Sequence, residues 1–209
     1  MRILLIDPDA GSQSMVAEAL HTLTPECTLS CHLSAEEAVP EVVANPPEVL
    51  LTEVDLPGVS GFECTRKLHL IMPELQIIIF TDRTSAESVL TSVMSGATGY
   101  LVKPHSARPL VPVLKDIFSG RHAFCEEAVH AMMNCLQGAG AALQASLTSR
   151  ERDILVSLVV RRSDKEIAEL FGISHGTVHR HVTNIFKKLG VHNRREVLHH
   201  LIRTHRQER

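Results

Sequence analysis

The chain has 209 residues, a formal net charge of −3, 44% hydrophobic and 22% charged residues, and no Trp. This length accommodates one large or two small domains, and the composition is that of an ordinary globular protein. Because there is neither a run of about twenty apolar residues nor a basic-then-apolar leader, the sequence predicts no transmembrane span and no secretory signal, and a cytoplasmic protein is expected.

The charge is unevenly distributed along the chain. From Thr148 onward, 13 Lys and Arg stand against 7 Asp and Glu, a formal charge of +6, whereas the first 147 residues have 8 against 17, a formal charge of −9. A basic C-terminal part favours contact with nucleic-acid phosphates and predicts that affinity depends strongly on salt.

Short apolar runs alternate with helix-like segments in the first 120 residues. The runs are 2–6, 28–31, 49–52, 77–81 and 100–102, and the helical segments are 10–23, 35–44, 61–70, 86–95 and 106–118. Continuous apolar runs are typical of strands covered on both faces, and their alternation with helices indicates a parallel sheet.

Polar residues follow four of these predicted strands. Asp7 follows the first, Glu53 the third, Thr81 the fourth and Lys103 the fifth. Because ligand sites in such sheets form outside the carboxyl ends of the strands, we expect these four side chains to meet at one rim.

The next segment, 119–146, joins the two parts of the chain. Residues 126–137 have helical character, whereas 138–146 are small and flexible, so the domain boundary is expected there. The five cysteines are odd in number and irregularly spaced, which favours reduced thiols over disulfides. They are Cys27, Cys31, Cys64, Cys125 and Cys135. A zinc or redox site formed by Cys27 and Cys31 with His21 and His32 is the less favoured alternative.

Two capping boxes mark helix starts in the basic part. Thr148 with Glu151, and Ser163 with Glu166, have the spacing at which a hydroxyl and a carboxylate satisfy the free amides of a first turn. Helices are therefore predicted to begin near residues 149 and 164.

A tight turn and a third helix follow. Gly172 lies where a left-handed C-terminal residue is expected, Ser174 provides an N-cap, and the helix is predicted to run to Gly190. Apolar residues recur at three- and four-residue spacing and give each helix an inward face. The outward residues of the third helix are polar and basic, as a helix entering a DNA major groove requires.

At these residues a first resemblance is clear. The segments LTSRE, SDKEIAELFGIS and TVHRHVTNIFKKLGVHNRREV resemble the LuxR-type helix-turn-helix of NarL/FixJ response regulators. The resemblance implies a fourth helix over 194–204, capped by Asn193 with Glu196, and a homodimer reading an inverted repeat in double-stranded DNA.

The resemblance also assigns roles to the outward residues. His179, Arg180 and Thr183 are the expected readers of base edges, with Arg180 the candidate for a bidentate guanine contact. The expected phosphate contacts are Lys165, Thr177, His181, Asn184, Lys187 and Lys188. His181 has the alternative role of a half-buried packing residue, and a solvated basic helix without a nucleic-acid partner is the alternative for the whole face.

The first 120 residues resemble a receiver domain. In that family an aspartate after the third strand accepts phosphate, two acidic residues after the first strand hold magnesium, and a Thr or Ser, a Lys and an aromatic residue complete the site. Thr81, Lys103 and Tyr100 match this pattern.

Three positions depart from it. Glu53 stands in place of the phosphoacceptor aspartate. Pro8 stands in place of the second acidic residue, and Asp9 comes one residue too late to match it. Asp82 stands in place of a small residue. The longer side chain of Glu53 displaces its carboxylate by roughly 1.5 Å, and in-line transfer tolerates about 1 Å.

Standard phosphorylation is therefore not expected, nor is any cofactor. Magnesium binding, which would depend on Asp7 and Glu53, should be weak or lost. Two explanations remain open. Glu53 either imitates a phosphoryl group, with Lys103 and Thr81 bound to it, or belongs to a decayed site.

Together these features predict an α/β flavodoxin-like (βα)5 receiver with a parallel sheet, followed by an all-α four-helix helix-turn-helix domain. The expected boundaries are 1–120 for an atypical receiver, 121–146 for a helical and flexible linker, and 147–209 for the DNA-binding domain. The expected function is transcription regulation of the two-component type, with no enzyme activity and no membrane partner. The alternative is an adaptor whose pseudo-receiver binds a partner protein or small ligand.

Overall fold

The computed structural model describes residues 1–23, 26–105, 107, 109–119, 123–138, 146–160, 162–194, 196–197 and 200–201. These residues form two compact units, Met1–Arg83 with Thr91–Cys125, and Thr84–Leu90 with Glu126–Arg209. Among the described residues no helix is long and apolar enough to cross a membrane.

The first unit is built on a five-stranded parallel sheet in the order β2-β1-β3-β4-β5. The strands are β1 Arg2–Ile6, β2 Thr28–His32, β3 Val49–Thr52, β4 Gln76–Thr81 and β5 Gly99–Val102. The helices between and after them are α1 Ala10–Leu23, α2 Ala35–Ala44, α3 Gly61–Ile71, α4 Ala86–Ser95, whose residues up to Leu90 group with the second unit, and α5 Leu110–Phe118. The predicted fold class is confirmed.

Both faces of the sheet are covered because side chains alternate along each strand. Ile3 and Leu5 of β1 join one buried cluster with residues of α1 and α5, and Leu4 and Ile6 join a second with residues of α2 and α3. All four are fully buried. The continuous apolar pattern of the strands follows from this two-sided burial.

Most predicted bounds of these elements agree with the structure to within one residue. The exception is α5, which was predicted from residue 106 and begins at Leu110. Pro109 precedes its first residue and lacks the backbone N–H that a helix already under way would donate. Residues 106 and 108 lie outside the described part.

The second unit contains the C-terminal helices. They are α6 Glu126–Gly138, α7 Ser149–Val159, α8 Asp164–Phe171 and α9 His175–Leu189. Both predicted capping boxes are formed, at Thr148 with Glu151 and at Ser163 with Glu166. Ser174 caps α9, and α8 ends at a left-handed glycine, Gly172, with φ 60°. The predicted helix-turn-helix is therefore present.

The fourth helix of this domain is described in part. Asn193 Oδ1 accepts a hydrogen bond from Glu196 N at 2.9 Å, as the predicted cap requires. Residues 194, 196, 197, 200 and 201 are helical, and the rest of the predicted segment 194–204 lies outside the described residues. Residues 121, 122 and 139–145 of the predicted linker also lie outside them.

Candidate functional site

The rim at the carboxyl ends of the strands is organised around Lys103. This lysine follows β5, and its Nζ lies 2.8 Å from Asp7 Oδ2 and 2.6 Å from Glu53 Oε2. All three side chains are at least nine-tenths buried. The parallel register brings them together, since Asp7 follows β1 and Glu53 follows β3, and the backbone N–H of Glu53 donates to Ile6 O at 2.9 Å.

This cluster contains one basic group and two acidic groups. Burial alone would lower the pKa of Lys103, but its hydrogen bonds and ion pairs with Asp7 and Glu53 outweigh burial and raise that pKa above the ordinary value. Lys103 therefore stays protonated, and one buried ammonium lies between two buried carboxylates.

Both carboxylate oxygens of Glu53 have partners. Oε2 faces Lys103, while Oε1 accepts the backbone N–H groups of Val54 at 2.5 Å and Asp55 at 3.3 Å. The carboxylate is thus folded against the loop after β3.

A second set of contacts crosses the rim through Arg83, in the loop after β4. Its guanidinium forms a bidentate pair with Asp55, with distances of 2.9 and 2.6 Å. Its backbone N–H donates to Thr81 Oγ1 at 3.4 Å, and its carbonyl accepts from the hydroxyl of Tyr100 at 2.8 Å. Arg83 was not singled out from the sequence, because an exposed Arg in a loop has no local signature.

Of the two contacts that imitation of a phosphoryl group by Glu53 would involve, the pair with Lys103 is formed. No hydrogen bond joins the side chains of Thr81 and Glu53 within the described part of the chain. Tyr100 is fully buried and close to the site, and Asp82 is exposed.

The carboxylate of Asp9 binds the first turn of α1. Its Oδ2 accepts from the backbone N–H of Ser12 at 2.8 Å and from its hydroxyl at 2.9 Å, which caps the start of α1. These hydrogen bonds from Ser12 lower the pKa of Asp9.

The residues at the rim do not fit magnesium. Pro8 provides no carboxylate, Asp9 is turned to the helix, and the nearest oxygens of Asp7 and Glu53 face an ammonium group. Among the described residues no group of three or more His, Cys, Asp or Glu is arranged to hold a metal ion. A hard cation needs several oxygens directed at one point, and Lys103 occupies that point.

The cysteines have no such arrangement either. Cys27, Cys31, Cys64 and Cys125 form no disulfide within the described part of the chain. Burial raises the pKa of Cys64 to about 11, so that thiol is unreactive at neutral pH. The side chain of Cys135 lies outside the described part.

The third helix of the second unit, α9, has two distinct faces. Its buried residues recur at helical spacing: Val178, Val182, Ile185 and Leu189. The predicted base readers His179, Arg180 and Thr183 are all exposed on the other side, together with Asn184 and Lys187. The Thr183 hydroxyl donates to His179 O at 2.9 Å.

The remaining predicted phosphate contacts differ in their surroundings. Lys165 on α8 is exposed, and Thr177 is half-buried, with its N–H donating to Ser174 Oγ at 3.1 Å and its hydroxyl 2.9 Å from the same atom. His181 is half-buried, and its Nδ1 is buried with no hydrogen-bond partner. The packing role that the sequence left open for His181 agrees with this burial.

Lys188 has an internal partner that the sequence did not indicate. Its Nζ donates to Glu151 Oε2 at 2.7 Å, and the same oxygen accepts the N–H and hydroxyl of Thr148 at 2.8 and 2.9 Å. Although burial would raise the pKa of Glu151, these partners lower it below the ordinary value. The ion pair therefore stabilises α7 against α9 above the pKa of an unfolded Glu, and this contribution is lost as the pH falls through the folded pKa.

Lys188→Met is expected to lower the free energy of unfolding of the second unit by about 1 kcal/mol, because Glu151 loses a charged partner that is one-third exposed. The measurement is urea denaturation followed by far-UV circular dichroism. Lys187→Met, on the exposed face one residue earlier, is the matched control and should change stability by less than about 0.5 kcal/mol. Equal stabilities of the two variants would contradict the structural role of Lys188.

Another pair ties the last helix to α8. The Arg194 guanidinium binds the Asp164 carboxylate and donates to Arg162 O at 2.7 Å. His175 Nε2, at the start of α9, lies 4.0 Å from the other oxygen of Asp164. Asp164 therefore lies between the last helix and the start of α9.

Two family models match the chain. Residues 3–115 match the response regulator receiver domain, and residues 145–201 match the bacterial regulatory proteins of the luxR family. The DNA-binding transcriptional activator DevR/DosR of Mycobacterium tuberculosis is 34% identical over 163 residues, 77% of this chain and 75% of that protein. The transcriptional activator protein ExaE of Pseudomonas putida is 31% identical over 170 residues, 79% of each chain.

Solved structures show the same fold. The RcsB response regulator of Salmonella typhimurium superposes with a TM-score of 0.59 at 17% identity, covering 92% of this chain and 93% of that one. A further RcsB structure contains two dimers bound to two parallel DNAs. It has a TM-score of 0.59 at 17% identity, covering 96% of this chain and 97% of that chain. A LuxR-family response regulator from Aurantimonas sp. SI85-9A1 has a TM-score of 0.57 at 25% identity, covering 64% of this chain and 95% of that chain.

Proposed function

The chain belongs to the response regulators that join a receiver domain to a luxR-family regulatory domain, which are DNA-binding transcription regulators, and we propose that this member regulates transcription without phosphorylation of its receiver. Its ion cluster at the rim takes the place of phosphate and magnesium. Glu53 is the residue that replaces the phosphoacceptor.

The observation that carries this proposal is the position of Lys103 between Asp7 and Glu53. The buried ammonium already lies against two carboxylates, so an incoming phosphoryl group, with about two negative charges, would meet carboxylate oxygens and no metal ion. The cost of burying that charge opposes phosphorylation. The ion pairs of Lys103 with Asp7 and Glu53 form without any phosphoryl group.

The exposed face of α9 supports the second part of the proposal. We expect the exposed His179, Arg180 and Thr183 to read base edges. We expect the exposed Asn184 and Lys187, together with Lys165 on α8, to meet the backbone phosphates. Lys188 acts mainly inside the domain, through Glu151.

We also propose that the chain binds DNA as a homodimer. Two copies of α9 placed about 34–36 Å apart, one turn of DNA, would read an inverted repeat. The RcsB structure with dimers on DNA is a precedent within the same fold. The sequence of the site depends on His179 and Arg180, which project from the exposed face.

The full chain, treated with chelator and given no phosphodonor, is expected to select a discrete symmetric DNA site. Adding magnesium and a small-molecule phosphodonor should change its affinity by less than about twofold, because position 53 is a glutamate where the phosphoacceptor aspartate would stand, and the rim has no metal site. The measurements are site selection from a random DNA library, fluorescence anisotropy on the selected site, and intact mass.

Two results would count against the proposal. A phosphoryl adduct on the intact protein, with a gain in affinity of about tenfold that requires magnesium, would show standard activation. A full chain that selects no site, under conditions in which it is folded, would favour the adaptor role for the receiver.

A further inference from the structure

After α5 the chain returns to the sheet and lies along the free edge of β5. Tyr100 N donates to Ala123 O at 2.6 Å, and Cys125 N donates to Tyr100 O at 3.0 Å, with Phe124 paired in parallel to Tyr100. Val102 N also approaches Cys125 Sγ at 3.4 Å. We call residues 123–125 the β5 strap.

The strap is packed closely and depends on one glycine. A Cβ on Gly99 would lie 2.3 Å from Ala123 O and 2.7 Å from Ile78 Cδ1, distances that real Cβ atoms do not show. Ala123 is buried in the same core cluster as Ile78, and Cys125 packs against that cluster. Gly99 is therefore required for the strap to approach β5.

The same short strand carries two elements of the rim. Lys103, which directly follows β5, lies between the two buried carboxylates, and the hydroxyl of Tyr100 holds the carbonyl of Arg83. On its outer edge the backbone of Tyr100 holds both ends of the strap. Backbone hydrogen bonds therefore join the strand that ends at the rim to the strap.

The strap also ends where the second unit begins. Glu126, the residue after Cys125, is the first residue of α6, and α6 packs against α7 of the helix-turn-helix. No residue separates Cys125, the last residue of the strap, from Glu126, the first residue of this helix.

From these contacts we propose that the β5 strap is the positioning segment through which the Glu53–Lys103 pair sets the DNA affinity of the second unit. The inference rests on the proposed function, since it requires that the ion cluster controls DNA binding. It adds the route, from Lys103 through β5 and residues 123–125 into α6.

A double-mutant cycle on the full chain tests the route. Glu53→Gln removes the charge opposite Lys103 and is expected to weaken binding to the selected DNA site by about fivefold or more. Gly99→Ala displaces the strap, and in that background Glu53→Gln should change affinity by less than about twofold. Both affinities are measured by fluorescence anisotropy at fixed salt.

A matched variant separates lost coupling from lost stability. Val16→Ala shortens a side chain of α1 in the same buried cluster, away from the strap. In this variant Glu53→Gln should still weaken DNA binding by the full amount. Where Gly99→Ala fails to fold by circular dichroism, Cys125→Pro removes the N–H that binds Tyr100 O without adding a side chain at Gly99, and the same cycle applies.

The outcomes distinguish the two proposals. If Glu53→Gln weakens DNA binding equally with and without the intact strap, the route is overturned and the role of the ion cluster stands. If Glu53→Gln has no effect on the chain with an intact strap, both are overturned, because no signal exists to transmit. Loss of the effect in Val16→Ala as well would also overturn the route, since the strap would then have no special part.

Discussion

Replacing Lys103 with Met is expected to lower the free energy of unfolding of the first unit by about 3–5 kcal/mol. The substitution leaves Asp7 and Glu53 as neighbouring buried carboxylates with no cation, and each is less than one-tenth exposed. Repulsion between the two carboxylates and the loss of their solvation then both destabilise the folded state.

The measurement is urea denaturation followed by tyrosine fluorescence. The chain has one Tyr and no Trp, and Tyr100 is fully buried in β5, so its signal reports the unfolding of the first unit alone. Lys67→Met is the control, because Lys67 pairs with Glu63 across one turn of α3 while 60% exposed. It should cost less than about 0.5 kcal/mol.

A chain that carries Glu53→Gln tests whether the stability lost in Lys103→Met comes from unpaired charge. In a chain that already carries Glu53→Gln, Lys103→Met leaves only one uncompensated carboxylate, so its cost should fall by about 1–3 kcal/mol. An unchanged cost in that background would mean that Lys103 stabilises the unit through packing, and the ion cluster would lose its central place in the proposed function.

Arg180→Ala is expected to relax DNA specificity, with a loss of about 1–3 kcal/mol on the selected site and a much smaller loss on random DNA. Arg180 lies on the exposed face of α9, opposite the buried stripe, and its guanidinium suits the paired acceptors of guanine. Binding to both kinds of DNA is measured by anisotropy over a series of salt concentrations.

Lys187→Ala is the matched control on the same face. Since a phosphate contact carries no sequence information, its loss should weaken binding to all DNA and reduce the slope of log affinity against log salt by about 1. Equal losses on selected and random DNA for Arg180→Ala would place Arg180 at the backbone and leave the base reader to be found elsewhere on α9.

The sequence by itself determined the features that depend on near neighbours. The capping boxes at Thr148 and Ser163, the left-handed turn at Gly172 and the apolar strands all arise from residues within a few positions of each other. Local hydrogen bonds and the periodicity of buried side chains depend on the spacing of residues along the sequence, so the elements predicted from that spacing agree with the structure.

Part of the rim could also be predicted. The carboxyl ends of parallel strands share one edge, so topology alone places Asp7, Glu53 and Lys103 together once the strands are assigned. Which of these side chains pair, and that Asp9 turns to Ser12 instead, depends on geometry that topology does not specify.

Only the tertiary structure decided the contacts between residues far apart in the chain. The pair of Lys188 with Glu151, the bridge of Arg83 to Asp55, and the strap beside Gly99 join positions from 23 to 37 residues apart. Each looks ordinary in the sequence, as an exposed basic residue or a glycine. Its partner is selected by the packing of whole elements, since charge and space are matched only after the helices and strands have come together.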